Sequence, residues 1–337
     1  MSVRSIVGHL SPRAVVASVI GALVLLAALL VPDGARSELA RAVSALPSAQ
    51  PFPVCLGGAM FAVSQLCSAG AWRTLVQRCG GWMDLGDAAA SYGAGSLASS
   101  LLPAGAGDVV RITLFSRPLA REGRLWTMGG ILLALSVMRA GVLLVLVLGA
   151  AAFGELPLWP VAVLGGVVVV AGAVIVRFRR DRPQSRAAHL LDAFAALGRS
   201  PRTSCVLGAW TAGSIAARVA AATAVAAAFG VPSPLLAGLV IVPALELAGA
   251  LPLTPANLGL ADGAMAAALR ASGSHLTSSL TIAIGLHAVE TLTSIAFGSW
   301  GVLHLVGARV QWARRLSILL AGAAGLAAAV ITGTFLA

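Results

Sequence analysis

Two apolar stretches of this sequence are too long to cross a membrane once, and each is broken in the middle. Residues 88–118 are interrupted at PAGAG (103–107), and residues 235–270 at PLTPANLG (252–259). Unbroken helices of about 31 and 36 residues would measure about 47 and 54 Å, against a hydrocarbon core about 30 Å thick. Proline removes a backbone donor and glycine frees the torsions of a sharp bend, so each stretch is expected to form two half-depth helices joined at a turn. Backbone that leaves helical pairing at membrane depth is tolerated only where protein buries it or where it lines a wet cavity. The two breaks therefore predict a cavity.

The rest of the chain is mostly lipid-soluble. Of 337 residues 58% are hydrophobic and 10% charged, where soluble domains carry roughly 25% charged residues. Windows at 14–31, 53–71, 126–151, 157–176, 203–229, 278–303 and 316–336 are each apolar for about one crossing. The expected fold class is an all-α polytopic membrane protein of about seven full spans plus two re-entrant broken helices. It forms a single integral membrane domain over residues 1–337. The first window is expected to be retained as a span, because its run of 18 apolar residues exceeds the ~7–15 of a signal-peptide core.

Arginine placement orients the chain. All 23 basic residues are arginine and none is lysine, a usage that points to a GC-rich bacterial genome. The net charge of +11 is spread between apolar runs, so it reports topology and headgroup contact and gives no sign of a nucleic-acid partner. If both broken regions turn back, Arg4, Arg13, Arg73, Arg78, Arg117, Arg121, Arg124, Arg309, Arg314 and Arg315 fall on the cytoplasmic side. So does a basic loop, 177–202, with seven arginines; Arg36, Arg41 and Arg270 fall outside. Letting region 88–118 cross would export the seven-arginine loop, against the positive-inside bias. The expected protein sits in a bacterial inner membrane with a cytoplasmic N-terminus. Residues 53–151 and 203–303 then each read span, re-entrant pair, span, entered from opposite sides, as inverted repeats do. In transporters of that construction the substrate site lies near the midplane, where broken helices meet.

Ionisable residues at membrane depth are costly unless paired, hydrated or used. Here they are Asp108, Arg111, Arg139, Arg218, Glu246, Asp262, His287 and Glu290. Asp108 and Arg111 share one face of the half-helix after Gly107; the aspartate is either an N-terminal cap or, with Arg111 and the turn of Pro103, Gly105 and Gly107, part of an anion site. In the second break Pro252, Pro255, Asn257, Gly259 and Asp262 stand equivalently, and Asp262 has the same capping alternative. Glu246 lies on the arm leading into that break, where a buried carboxylate is protonated or faces an arginine. Arg139 and Arg218 fall near the middle of two full spans, and either serve structural ion pairs or hold an anionic headgroup through the guanidinium fork. His287 and Glu290 share a helix face and are two ligands without a third, which suits interhelical hydrogen bonding better than a metal.

Enzyme signatures are missing from the sequence. It has no G-x-S-x-G, H-E-x-x-H or P-loop, and its five histidines form no ligand cluster. Cys55, Cys67, Cys79 and Cys205 include no C-x-x-C pair and read as buried thiols. Neither catalysis nor a cofactor nor a metal is expected. Glycine and alanine within the spans fit small-residue helix packing.

The two breaks resemble the two signature stretches of the lysylphosphatidylglycerol synthase transmembrane region family, also called flippase-like domain proteins. In that family a proline and glycine turn is followed by an acid and then an arginine, matched here by Pro103, Gly105, Gly107, Asp108 and Arg111. The second signature, a P-x-x-P-G-G-x-G-x-x-E-like run, is matched by Pro252, Pro255, Gly259 and Asp262. Ala256 and Asn257 replace its paired glycines, and Asp262 its glutamate. The resemblance spans roughly residues 15–305. Fused family members make aminoacylated phospholipid with a soluble C-terminal domain, which is not expected in these residues, and move it with the membrane part. The resemblance implies translocation or binding of a phospholipid or polyprenyl-linked lipid made elsewhere. Two other readings stay open: a non-catalytic membrane partner of an envelope glycosyltransferase, and a proton-coupled carrier of a small anion using Asp108, Asp262 and Glu290.

Overall fold

A computed structural model describes residues 33–101, 105–119, 124–152, 200–249 and 259–307, with isolated helical positions at 165, 166 and 169. The described residues form nine α-helices and one 3-10 turn, Leu46–Ser48. In chain order the helices are α1 (Asp33–Ser44), α2 (Pro51–Arg78), α3 (Leu85–Leu101), α4 (Ala106–Ser116), α5 (Arg124–Ala152), α6 (Pro201–Ala228), α7 (Pro234–Gly249), α8 (Leu260–Ala271) and α9 (Leu276–Gly307). The expected spans 14–31 and 316–336, most of 157–176 and of the loop 177–202, and Pro103, Pro252, Pro255, Ala256 and Asn257 lie outside the described residues.

Helix ends follow local chemistry. Pro51 and Pro201 occupy the first turns of α2 and α6, where a missing N–H is harmless. Ser200 caps α6 by accepting from the Thr203 amide. Both helices stop at a glycine with positive φ, Gly80 at 91° and Gly230 at 71°. The following amides, of Gly81 and Val231, return to the carbonyls of Val76 and Ala226, which closes the last turn. Long α2, α5, α6 and α9 are apolar enough to cross a membrane. Helix α2 runs well past its expected window of 53–71, so Arg73 and Arg78 lie in its last turns. There Arg73 Nε and Gln77 Nε2 both donate to the Met83 carbonyl, at 2.9 and 3.1 Å.

Both broken regions are helix pairs. Against α3, 17 residues long, packs α4, whose 11 residues measure about 17 Å; α7 and α8 pair in the same way. In the first pair the contact is glycine to glycine: a Cβ on Gly107 would fall 2.6 Å from the Gly95 carbonyl oxygen. Gly107 is therefore a packing residue inside α4, not part of the turn preceding it, and the helix begins at Ala106, two residues earlier than expected. Among the described residues the α2–α6 and α3–α9 interfaces are the most extensive. One buried cluster gathers α2, α3, α4 and α5 around Leu75, Phe115, Met128 and Ile131, and a second gathers α6, α7, α8 and α9 around Ile215, Ile241, Met265 and Ile282.

The polar stretch beginning at Asp33 is helical: α1 buries Ala42 against α9, where Thr281 Oγ1 donates to the Ala42 carbonyl at 3.3 Å.

Candidate functional site

The break glycines set the site's frame. Gly105 and Gly259 are the N-caps of α4 and α8, at φ +85° and +81°, a left-handed conformation that glycine adopts without strain. Each stands three residues before an aspartate, and the two aspartates then diverge. Asp262 accepts from the Gly259 amide at 3.1 Å and so caps its helix. Asp108 makes no such cap; its Oδ1 takes Arg111 Nη1 at 2.8 Å. Of the two capping alternatives, geometry realises the one at the second break only.

Arg111 is held by the close approach of α3 and α4. Its Nη2 donates to Ser96 Oγ at 3.1 Å, and its guanidinium lies 4.6 Å from the centre of the Tyr92 ring. From there a cavity of about 560 Å³ extends to the second helix pair. Arg139 on α5 and Arg218 on α6 face it from the far wall, with Glu246 on α7 and Glu290 on α9. Arg218 Nη1 reaches Glu246 Oε1 at 2.6 Å and its Nε reaches Glu290 Oε1 at 3.3 Å. Arg139 Nη1 takes the other oxygen of Glu246 at 3.5 Å. Four charges from four helices thus form one chain, about one-seventh to three-tenths exposed, so removal of Arg218 would leave Glu290, and removal of Glu246 would leave Arg139, without its charged partner.

Glu290 and His287 take separate partners across helix interfaces. Glu290 pairs with Arg218, whereas His287 Nδ1 lies 3.3 Å from Asp262 Oδ1 on α8. Asp108, Arg111, Arg139, Arg218, Glu246, His287 and Glu290 line the cavity; Gly105, Gly107, Gly259 and Asp262 do not, since they shape or cap the helices around it. Asp262 reaches it only through His287. Pro103, Pro255 and Asn257 lie outside the described residues.

Sequence reasoning passed over the neutral lining. Ser64, Ser68 and Ser214 form a hydroxyl cluster at the α2–α6 crossing, with Oγ separations of 3.1 and 2.8 Å to Ser214. Arg139 Nη2 reaches that serine at 3.4 Å. Gln65 bridges to Ser294 at 3.2 Å, and Tyr92 supplies the ring under Arg111. The serine pairs Ser64 with Ser68 on α2 and Ser96 with Ser100 on α3 were signalled by their i, i+4 spacing, whereas Ser214, Gln65 and Tyr92 carried no such signal.

Chemically, the walls offer three guanidiniums in reach of carboxylates and hydroxyls, a set suited to binding phosphate by exchange of partners. No group of three His, Cys, Asp or Glu side chains suited to a metal occurs among the described residues. No curated protein matches the sequence. The family model described as the lysylphosphatidylglycerol synthase TM region matches residues 14–298, which takes in both helix pairs and every cavity-lining residue, and the chain belongs to that family.

Proposed function

We propose that the protein binds the headgroup of a phospholipid or polyprenyl-linked lipid in this cavity and moves it across the bacterial inner membrane, without catalysing a reaction. The observation that carries the reading is the convergence of Arg111, Arg139 and Arg218, from three different helices, on one polar cavity in an otherwise apolar chain. Charge at membrane depth is retained where it pairs or marks a substrate path, and guanidinium matches phosphate oxygens two at a time.

Topology supports the same reading. Both short helix pairs stand between long apolar helices, in the order α2, α3–α4, α5 and again α6, α7–α8, α9. In this account each pair is re-entrant, the two halves are inverted repeats, and the N-terminus is cytoplasmic. The cavity then sits at the midplane, where a headgroup arriving from one leaflet can leave to the other.

Vesicles reconstituted with the protein and carrying fluorescent phosphatidylglycerol or labelled polyprenyl phosphate test the proposal. The expected result is that an impermeant quencher reaches the inner-leaflet label faster than in empty vesicles. Arg139→Gln is expected to slow this roughly 10–100-fold, the loss of a charged hydrogen bond of about 1.5–3 kcal/mol. Folded protein that leaves every such lipid at the rate of empty vesicles contradicts it.

A further inference from the structure

The charges lining the cavity balance before a ligand arrives. Arg111 faces Asp108, while Arg139 and Arg218 share Glu246 and Glu290. A phosphate diester adds one negative charge, and an uncompensated charge at membrane depth is strongly disfavoured. Binding of the anion therefore calls for a positive charge that enters with it.

His287 stands where that charge can be taken up. It lines the cavity from α9, one helical turn before Glu290. Its Nδ1 faces Asp262 Oδ1 of α8 at 3.3 Å, and Asp262 is itself fixed through its other oxygen by the Gly259 amide at 3.1 Å. A carboxylate at Nδ1 favours the tautomer with hydrogen on Nδ1, which leaves Nε2 as a proton acceptor. Nε2 has no hydrogen-bond partner among the described residues. The ionisable groups around the ring are Asp262 on α8, Glu290 on its own helix and, joined to Glu290, Arg218 on α6, with Glu246 of α7 and Arg139 of α5 beyond. Imidazole is the one side chain in this set that ordinarily changes charge near neutral pH.

We propose that an anionic phosphate headgroup binds together with one proton. The headgroup oxygens take guanidinium donors of Arg139 and Arg218, and a proton from the aqueous phase forms an N–H bond at His287 Nε2. The imidazolium, held at Nδ1 by Asp262, restores the cavity's charge. This rests on the headgroup site argued above and adds what accompanies the lipid. Its consequence is that the loaded cavity carries no extra charge, so the pH gradient rather than the membrane voltage drives the loaded form.

Calorimetric titration of the purified protein in buffers of different ionisation enthalpy reads the proton number. With dihexanoyl phosphatidylglycerol the expectation is uptake of about one proton per lipid, with affinity falling about tenfold per pH unit above neutrality. Dihexanoyl phosphatidylcholine, whose headgroup brings its own cation, is expected to bind with no uptake. Glycerophosphoglycerol, the same anion without acyl chains, separates the sources: uptake with it as well assigns the site to any phosphate diester, and uptake with the lipid alone assigns it to the lipid. His287→Gln is expected to bind phosphatidylglycerol more weakly, without uptake or pH slope, and a melting temperature in detergent near that of wild type reports that it is folded. Phosphatidylglycerol bound by wild type with no proton exchange, or uptake undiminished in His287→Gln, overturns the proposal and leaves the headgroup site standing. Failure of wild type to bind any of the three overturns both.

Discussion

Arg218 holds two carboxylates from two helices, Glu246 of α7 and Glu290 of α9, and its guanidinium lies 5.5 Å from the centre of the Phe61 ring of α2. Glu246 keeps Arg139 if Arg218 is lost, whereas Glu290 loses its arginine. Arg218→Met is therefore expected to cost about 3–5 kcal/mol, the penalty for stranding one member of a buried pair, seen as a lower melting temperature in detergent. Arg218→Met with Glu290→Met leaves the balanced pair Arg139–Glu246 and should recover most of the loss. A double variant that melts no higher than the single one would show that the pairing is not what stabilises these helices. The charged residues of this network were legible in the sequence because a charge within an apolar window stands out on cost alone. Serines and Tyr92 carry no such cost, so Ser214, which joins three hydrogen bonds at the α2–α6 crossing, was invisible until the helices were placed. Which acid meets which arginine depends on helix contacts distant in sequence, and no local spacing encodes it.

At the scale of elements, glycine decides which helices touch. Along the α3–α9 seam a Cβ on Gly301 would lie 2.5 Å from the Ala90 carbonyl oxygen, one on Gly298 2.6 Å from that of Gly93, and one on Gly93 2.8 Å from that of Phe297. The seam ends at His304, whose Nε2 lies 3.2 Å from Asp87 Oδ1. Gly301→Ala is expected to destabilise by about 1–3 kcal/mol, because the added methyl meets backbone rather than a movable side chain. Thermal melting checks this, and an unchanged midpoint would mean that the two helices do not approach so closely. Helix ends were readable from Pro51, Pro201, Gly80 and Gly230, since proline and glycine act locally. Helix α1 was not, because DGARSELARAVS is polar enough to read as a loop and is held by its contact with α9, 239 residues away at Thr281. The course of α7, by contrast, was readable: the first half of the region broken at 252–259 was expected to be one helix, and α7 runs through the buried Pro243 without ending there.

For the whole molecule, the account turns on two helix pairs that open toward opposite faces of the membrane and meet at one cavity. The open ends of the first pair already lie together: a Cβ on Gly81, just before α3, would sit 3.1 Å from Leu119 Cδ2, just after α4. Breaks in over-long apolar stretches made the two helix pairs legible in the sequence, and arginine asymmetry supplies the orientation proposed for them. Cysteine labelling in a background freed of Cys55, Cys67, Cys79 and Cys205 tests it most directly. Single cysteines at Trp82, Arg117, Leu235 and Ser272 mark exposed positions at the ends of the two pairs. The account predicts that an impermeant thiol reagent modifies Trp82→Cys and Arg117→Cys from the cytoplasmic side and Leu235→Cys and Ser272→Cys from the other. Labelling that places Trp82→Cys and Arg117→Cys, or Leu235→Cys and Ser272→Cys, on different sides would contradict it.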